Sequence, residues 1–121
     1  MSIPVIDLFS GPGGLGEGFV SLDDGKTFRI VVSAETDPAA HKTLCLRSYF
    51  RRTKPHSKDV RTYYDFCNGL SDMPWNSCTT NAWYEASKEA RQLTLGDPAS
   101  NDELDSLLDE PTRRLAVRPR V

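Results

Sequence analysis

The chain has 121 residues, with 15 Lys and Arg against 17 Asp and Glu, a net charge of −2 and 38% hydrophobic residues. That is enough for one core and too little for two. Its longest apolar runs, such as Ile30 to Val32, are far too short for a membrane-spanning helix, and the N-terminus carries no secretory signal pattern, so a soluble cytoplasmic protein with no membrane partner is expected.

Three cysteines, Cys45, Cys67 and Cys78, have no Cys-x-x-Cys or His-x-x-x-His spacing around them. They read as reduced thiols, with no disulfide framework and no metal site. A near-neutral charge balance gives no global attraction to phosphate, so nucleic-acid contact would need a local patch or another part.

Ile3 to Phe9 is a short apolar run that ends at Gly11-Pro12-Gly13-Gly14-Leu15-Gly16, and a second apolar run, Phe28 to Ala34, follows a polar turn at Asp23-Asp24-Gly25-Lys26. The order is strand, loop, helix, turn, strand. Runs rich in Val and Ile without strict alternation suit parallel strands buried between helices. The helix, about Gly13 to Leu22, places Leu15, Phe19 and Leu22 on one face for packing on the sheet.

Gly14, Gly16 and Gly18 each weaken that helix by roughly 1 kcal/mol relative to alanine. Close approach of a ligand to the turn, and of the helix to its strand, is the compensating reason. The free N–H groups at the helix start then favour an anionic group.

The second strand ends in Glu35, and Asp37-Pro38 has the form of an N-cap with proline in the first helical position, opening a helix through Ala40 and Leu44 to about Phe50. Glu35 lies 19 residues after Gly16. In a βαβ unit that spacing lets a carboxylate accept hydrogen bonds from ribose hydroxyls beside the glycine turn. Asp7 inside the first strand and Phe9 at its mouth favour a cofactor with an ammonium group and an adenine or thioether chain over a diphosphate. S-adenosylmethionine has all of these.

Asp7-Leu8-Phe9-Ser10-Gly11-Pro12-Gly13-Gly14-Leu15, followed by Glu35-Thr36-Asp37 and the Ala40-to-Leu44 helix, resembles the first two motifs of the cytosine-5 DNA methyltransferases. The resemblance spans about residues 3 to 50. It implies that Phe9 contacts S-adenosylmethionine, that Ser10, Gly11, Gly13, Gly14 and Leu15 shape the loop at its methionine end, and that Glu35 holds the ribose. Thr36 occupies a position where family members often place a larger side chain against adenine.

The same resemblance implies a DNA methyltransferase of the restriction-modification kind, nucleoid-associated when active, that methylates a flipped cytosine after a cysteine thiolate adds to its ring. Neither the Pro-Cys-Gln nor the Glu-Asn-Val string that carries this chemistry in the family occurs here. Cys45 reads as a buried structural thiol, and Cys67 and Cys78 lie in turn-like sequence. The chain is therefore expected to be an N-terminal cofactor-binding segment, silent alone, with DNA engaged through a missing part or through a second chain that supplies the catalytic region. No catalytic residue is assigned.

Residues 1–60 form the expected βαβα unit, and residues 61–121 a helical and loop extension with an incomplete, disordered tail. Arg47, Arg51, Arg52, Lys54, Lys58 and Arg61 crowd into fifteen residues near His56, Tyr63 and Tyr64. They form either a DNA-backbone patch or a solvated helix end. His41 and His56 read as surface or capping residues.

Trp83, Ala86, Ala90 and Leu93 predict a helix from about Ala82 to Leu93, capped by Thr80 or Asn81. Asp97-Pro98 reads as a loop start, and Leu115 to Val117 as a strand start broken by Arg118-Pro119-Arg120. The expected fold is α/β, a partial Rossmann-like methyltransferase sheet of two or three parallel strands with flanking helices and one exposed edge. Two alternatives stand beside it: a nicotinamide-dependent oxidoreductase fragment, which shares the glycine pattern, and a non-catalytic DNA-binding module.

Overall fold

The computed structural model describes residues 2–53 and 60–116, with side chains described up to residue 109. Lys54, His56 and Lys58 of the basic cluster, and the Arg118-Pro119-Arg120 segment, lie outside the described residues. A three-stranded parallel sheet has the order β1-β2-β3, from β1 (Ile3–Leu8), β2 (Phe28–Glu35) and β3 (Ala90–Gln92). Helices flank it: α1 (Gly14–Ser21), α2 (Pro38–Thr53), α3 (Val60–Cys67), α4 (Thr80–Glu89) and α5 (Pro98–Ala116).

β2 is central, and Ile30, Val32, Ser33 and Ala34 are buried. A register shift between Val5 and Ile6 leaves Val31 of β2 without a partner on β1. Val32 and Ala34 pack with Leu93 and with Leu104 of α5 in one core cluster. Leu44 and Cys45 of α2 pack with Ala90, and Trp83 of α4 lies against them, in a second. β2 and β3 are thus covered by helices on both faces, while Ile6 and Leu8 of β1 stay exposed.

Four expectations are corrected. The α4 helix stops at Glu89, and Ala90–Gln92 pairs in parallel with Ser33–Glu35. Helical periodicity there lost to alternation, because Ala90 faces α2 while Leu93 joins the α5 cluster. Thr79, rather than Thr80 or Asn81, precedes the first turn of α4. Asp97 accepts the Ser100 N–H at 3.1 Å and begins α5, the same Asp-Pro device by which Asp37 accepts the Ala40 N–H at 2.8 Å and begins α2. Leu115 and Ala116 are the last residues of α5, not a strand.

α1 also packs differently from its apolar pattern. Leu15 is 70% exposed, and Leu22 lies in a 3-10 turn and is 53% exposed. Phe19 packs edge-on against Phe28 with ring centroids 5.0 Å apart. The residue nearest the sheet is Gly16, where a Cβ would stand 3.0 Å from both Asp7 Oδ2 and Ile30 Cδ1. Close approach therefore explains Gly16, but Gly18 faces open space.

Arg51 and Arg52 bind Glu89, which is 6% exposed, at 2.8 and 3.1 Å, and Arg51 also binds Glu17 at 2.8 Å. These two cations of the basic cluster tie α1, α2 and α4 together. They are engaged within the fold.

Candidate functional site at the carboxyl ends of the strands

In an open parallel sheet, ligands bind beyond the carboxyl ends of the strands. Here those ends carry Phe9, Glu35 and Thr36, together with Gln92 and Thr94. Phe9 has a left-handed backbone, φ 56°, and is 77% exposed. An aromatic residue in that region costs about 1–3 kcal/mol, which the surrounding turn must offset.

The turn is fastened to β2. The Ser10 N–H donates to the Ala34 carbonyl at 3.1 Å, and the Ser10 hydroxyl donates to the carbonyl of Asp7 at 2.6 Å. Gly11 and Gly13 adopt positive φ of 57° and 95°. Gly13 is buried, and a Cβ on it would press to 2.9 Å from Leu44 Cδ2. Its backbone precedes α1 with no side-chain cap, so the dipole end of α1 carries N–H groups without a capping oxygen.

Glu35 closes the turn. Its Oε1 accepts the Gly11 N–H at 2.9 Å and its Oε2 accepts the Asp37 N–H at 2.8 Å. These backbone donors, Asp37 first and Gly11 second, hold the carboxyl below the usual glutamate range. Each carboxylate oxygen keeps a further lone-pair site, so the group can still accept hydroxyl donors.

Gly14 is exposed, and a Cβ there would find nothing within 4 Å, while Leu15 beside it is exposed too. Asp7 lies deeper. It is 9% exposed under Gly16, its Oδ2 has no hydrogen-bond partner, and desolvation raises its pKa. Ser10 and Gly11 are hydrogen-bonded to the end of β2, at Ala34 and Glu35, while Phe9, Gly14 and Leu15 are exposed beside them and Gly13 and Asp7 are buried.

Thr36 is placed toward the third strand. Its hydroxyl shares a 2.6 Å hydrogen bond with the hydroxyl of Thr94, and Gln92 Nε2 donates to its carbonyl at 3.3 Å. Thr94 and Gln92 are rim residues that the sequence reading missed because it had no strand there. The alternation in Arg91-Gln92-Leu93-Thr94-Leu95 was the available signal.

Cys45 is buried between α2 and β3, and its thiol is pushed up by burial and by Glu89. Cys67 and Cys78 are exposed, on α3 and on the loop before α4. Among the described residues there is no cluster suited to a metal ion, and no helix is long and apolar enough to cross a membrane.

No known family pattern, no curated protein and no solved structure matches this chain.

Proposed function

We propose that this chain binds S-adenosylmethionine at the carboxyl ends of β1 and β2, as the N-terminal cofactor-binding segment of a cytosine-5 DNA methyltransferase. The observation that carries the reading is the position of Glu35, an acceptor carboxylate fixed 2.9 Å from Gly11 at the bend of the glycine turn. Ribose hydroxyls are the donors such a carboxylate takes.

The other residues fit the same cofactor. The uncapped start of α1 suits a carboxylate, and the open space at Gly14 leaves room for the methionine chain. The unpartnered Oδ2 of Asp7 lends negative potential beneath an ammonium group. Phe9 offers an exposed ring to an apolar or aromatic part. When bound, the cofactor supplies an electrophilic methyl group, and this chain's residues hold and orient it. Methyl transfer to cytosine would depend on a nucleophile and a DNA-reading part brought by further sequence or by a second chain.

Calorimetric titration of the folded protein with S-adenosylmethionine tests this. Saturable binding that weakens by about tenfold in Glu35→Ala, the loss of a charge-assisted hydrogen bond, is the expected result. Saturable binding of NAD without competition from S-adenosylmethionine, or no heat at millimolar S-adenosylmethionine from protein with native circular dichroism, would overturn it.

A further inference from the structure

The geometry points to a second small-molecule site, an aromatic pocket between α2, α3 and α4 that takes a flat, uncharged nitrogen heterocycle presenting an amino donor beside a ring acceptor. This site is separate from the glycine turn. A cavity of about 400 Å³ is lined by His41 and Lys42 of α2, Phe66 of α3, Asp72 and Trp75 of the loop before α4, and Trp83 of α4. That volume lies within the range of small-ligand pockets, about 300–1,000 Å³.

The ring geometry favours a flat ligand. Trp75 stacks on Trp83 with centroids 4.6 Å apart and planes 24° from parallel, and Trp83 in turn meets the buried Tyr49 edge-on at 5.6 Å. The stack is therefore anchored in the core at one end, and both tryptophans line the cavity. A further flat ring extends such a stack without disturbing it.

Trp75 is held in advance by its loop. The Ser71 hydroxyl donates to the Met73 carbonyl at 2.8 Å, the Asn76 N–H donates to Thr79 Oγ1 at 2.9 Å, and the Cys78 N–H donates to Asn76 Oδ1 at 2.8 Å. Little ordering is left for a ligand to impose.

The charged groups decide the class. Lys42 and Asp72 both line the cavity and both are solvent-exposed. A cation on the aromatic faces would meet the ammonium of Lys42, and an anion would meet the carboxylate of Asp72. A neutral ring with an amino group and an adjacent ring nitrogen satisfies both, donating to Asp72 and accepting from Lys42. His41 commits its Nε2 to the Ala90 carbonyl at 3.0 Å.

The two tryptophans in the pocket are the only two in the chain, so their indole N–H resonances report it directly. In a titration of ¹⁵N-labelled full chain with adenosine, both indole resonances should shift and saturate in the millimolar range. Asp72→Ala, at an exposed position, should weaken this by about tenfold, and inosine, with a carbonyl in place of the amino group, should bind weaker than adenosine by a similar factor. No saturable indole shift, an unchanged affinity in Asp72→Ala, or equal affinity for inosine would overturn the assignment. The amides of Gly11 and Gly13 report the glycine turn in the same spectra, so failure at one site is distinguished from failure at the other.

Discussion

Gly16 and Asp7 are in such close contact that a methyl group on Gly16 would stand 3.0 Å from Asp7 Oδ2. The contact sets α1 down on the sheet and shields Asp7 Oδ2 from water. It also separates the glycines of this segment into those with a packing duty and those without.

Gly16→Ala should destabilise the protein by about 1–3 kcal/mol, because Ile30 Cδ1 crowds the same position at 3.0 Å. Gly18→Ala, in open space on the same helix, should instead stabilise by up to about 1 kcal/mol. Urea denaturation of the two variants measures both signs, and equal effects would refute the packing role of Gly16.

Asp7 is a charge whose ionisation the fold resists. Its pKa is raised by desolvation, so between the ordinary aspartate value and the raised one the folded chain binds more protons than the unfolded chain. Stability falls as pH rises through that window. Asp7→Asn should therefore stabilise the fold at neutral pH, with the gain vanishing in acid, and should weaken S-adenosylmethionine binding. Thermal melts across pH check the first part and calorimetry the second.

Glu35 has the opposite sign. Its pKa is lowered by the Asp37 and Gly11 N–H groups, so its contribution is present above the ordinary glutamate value and is lost as pH falls through the lowered one. Glu35→Ala should abolish this acid-side dependence and speed hydrogen exchange at the Gly11 and Asp37 amides. Unchanged exchange at both would show that the carboxylate does not hold the turn in solution.

β1 is an outer strand of the sheet, and Ile3, Ile6 and Leu8 are 54%, 40% and 42% exposed. An outer strand whose exposed side chains are apolar is prone to pair with other chains. Ile6→Lys should reduce concentration-dependent light scattering while changing stability by less than about 0.5 kcal/mol. Persistent scattering would place the adhesive surface elsewhere.

Much of this architecture was legible in the chain itself. The apolar runs at Ile3 and Phe28 marked two parallel strands, Asp37-Pro38 marked the start of α2, and the glycine cluster marked the turn that joins β1 to α1. These signals are local. They depend on backbone freedom, capping and periods of a few residues, which neighbouring side chains set on their own.

What only the tertiary structure decided concerns segments whose local pattern was shared between outcomes. Ala90 to Leu93 continues a helical stripe and also alternates, and the open edge of β2 at Ser33–Glu35 resolved it as a strand. Asp97-Pro98 carries the same signature as Asp37-Pro38, yet its polar surroundings read as a loop until Leu104 found Val32, Ala34 and Leu93. Arg51 and Arg52 resemble a free basic patch until Glu89, 37 residues beyond Arg52, arrives between them. Hydrogen-bond partners and counter-charges brought from distant positions outweigh local preference, because each is worth as much as the differences among local alternatives.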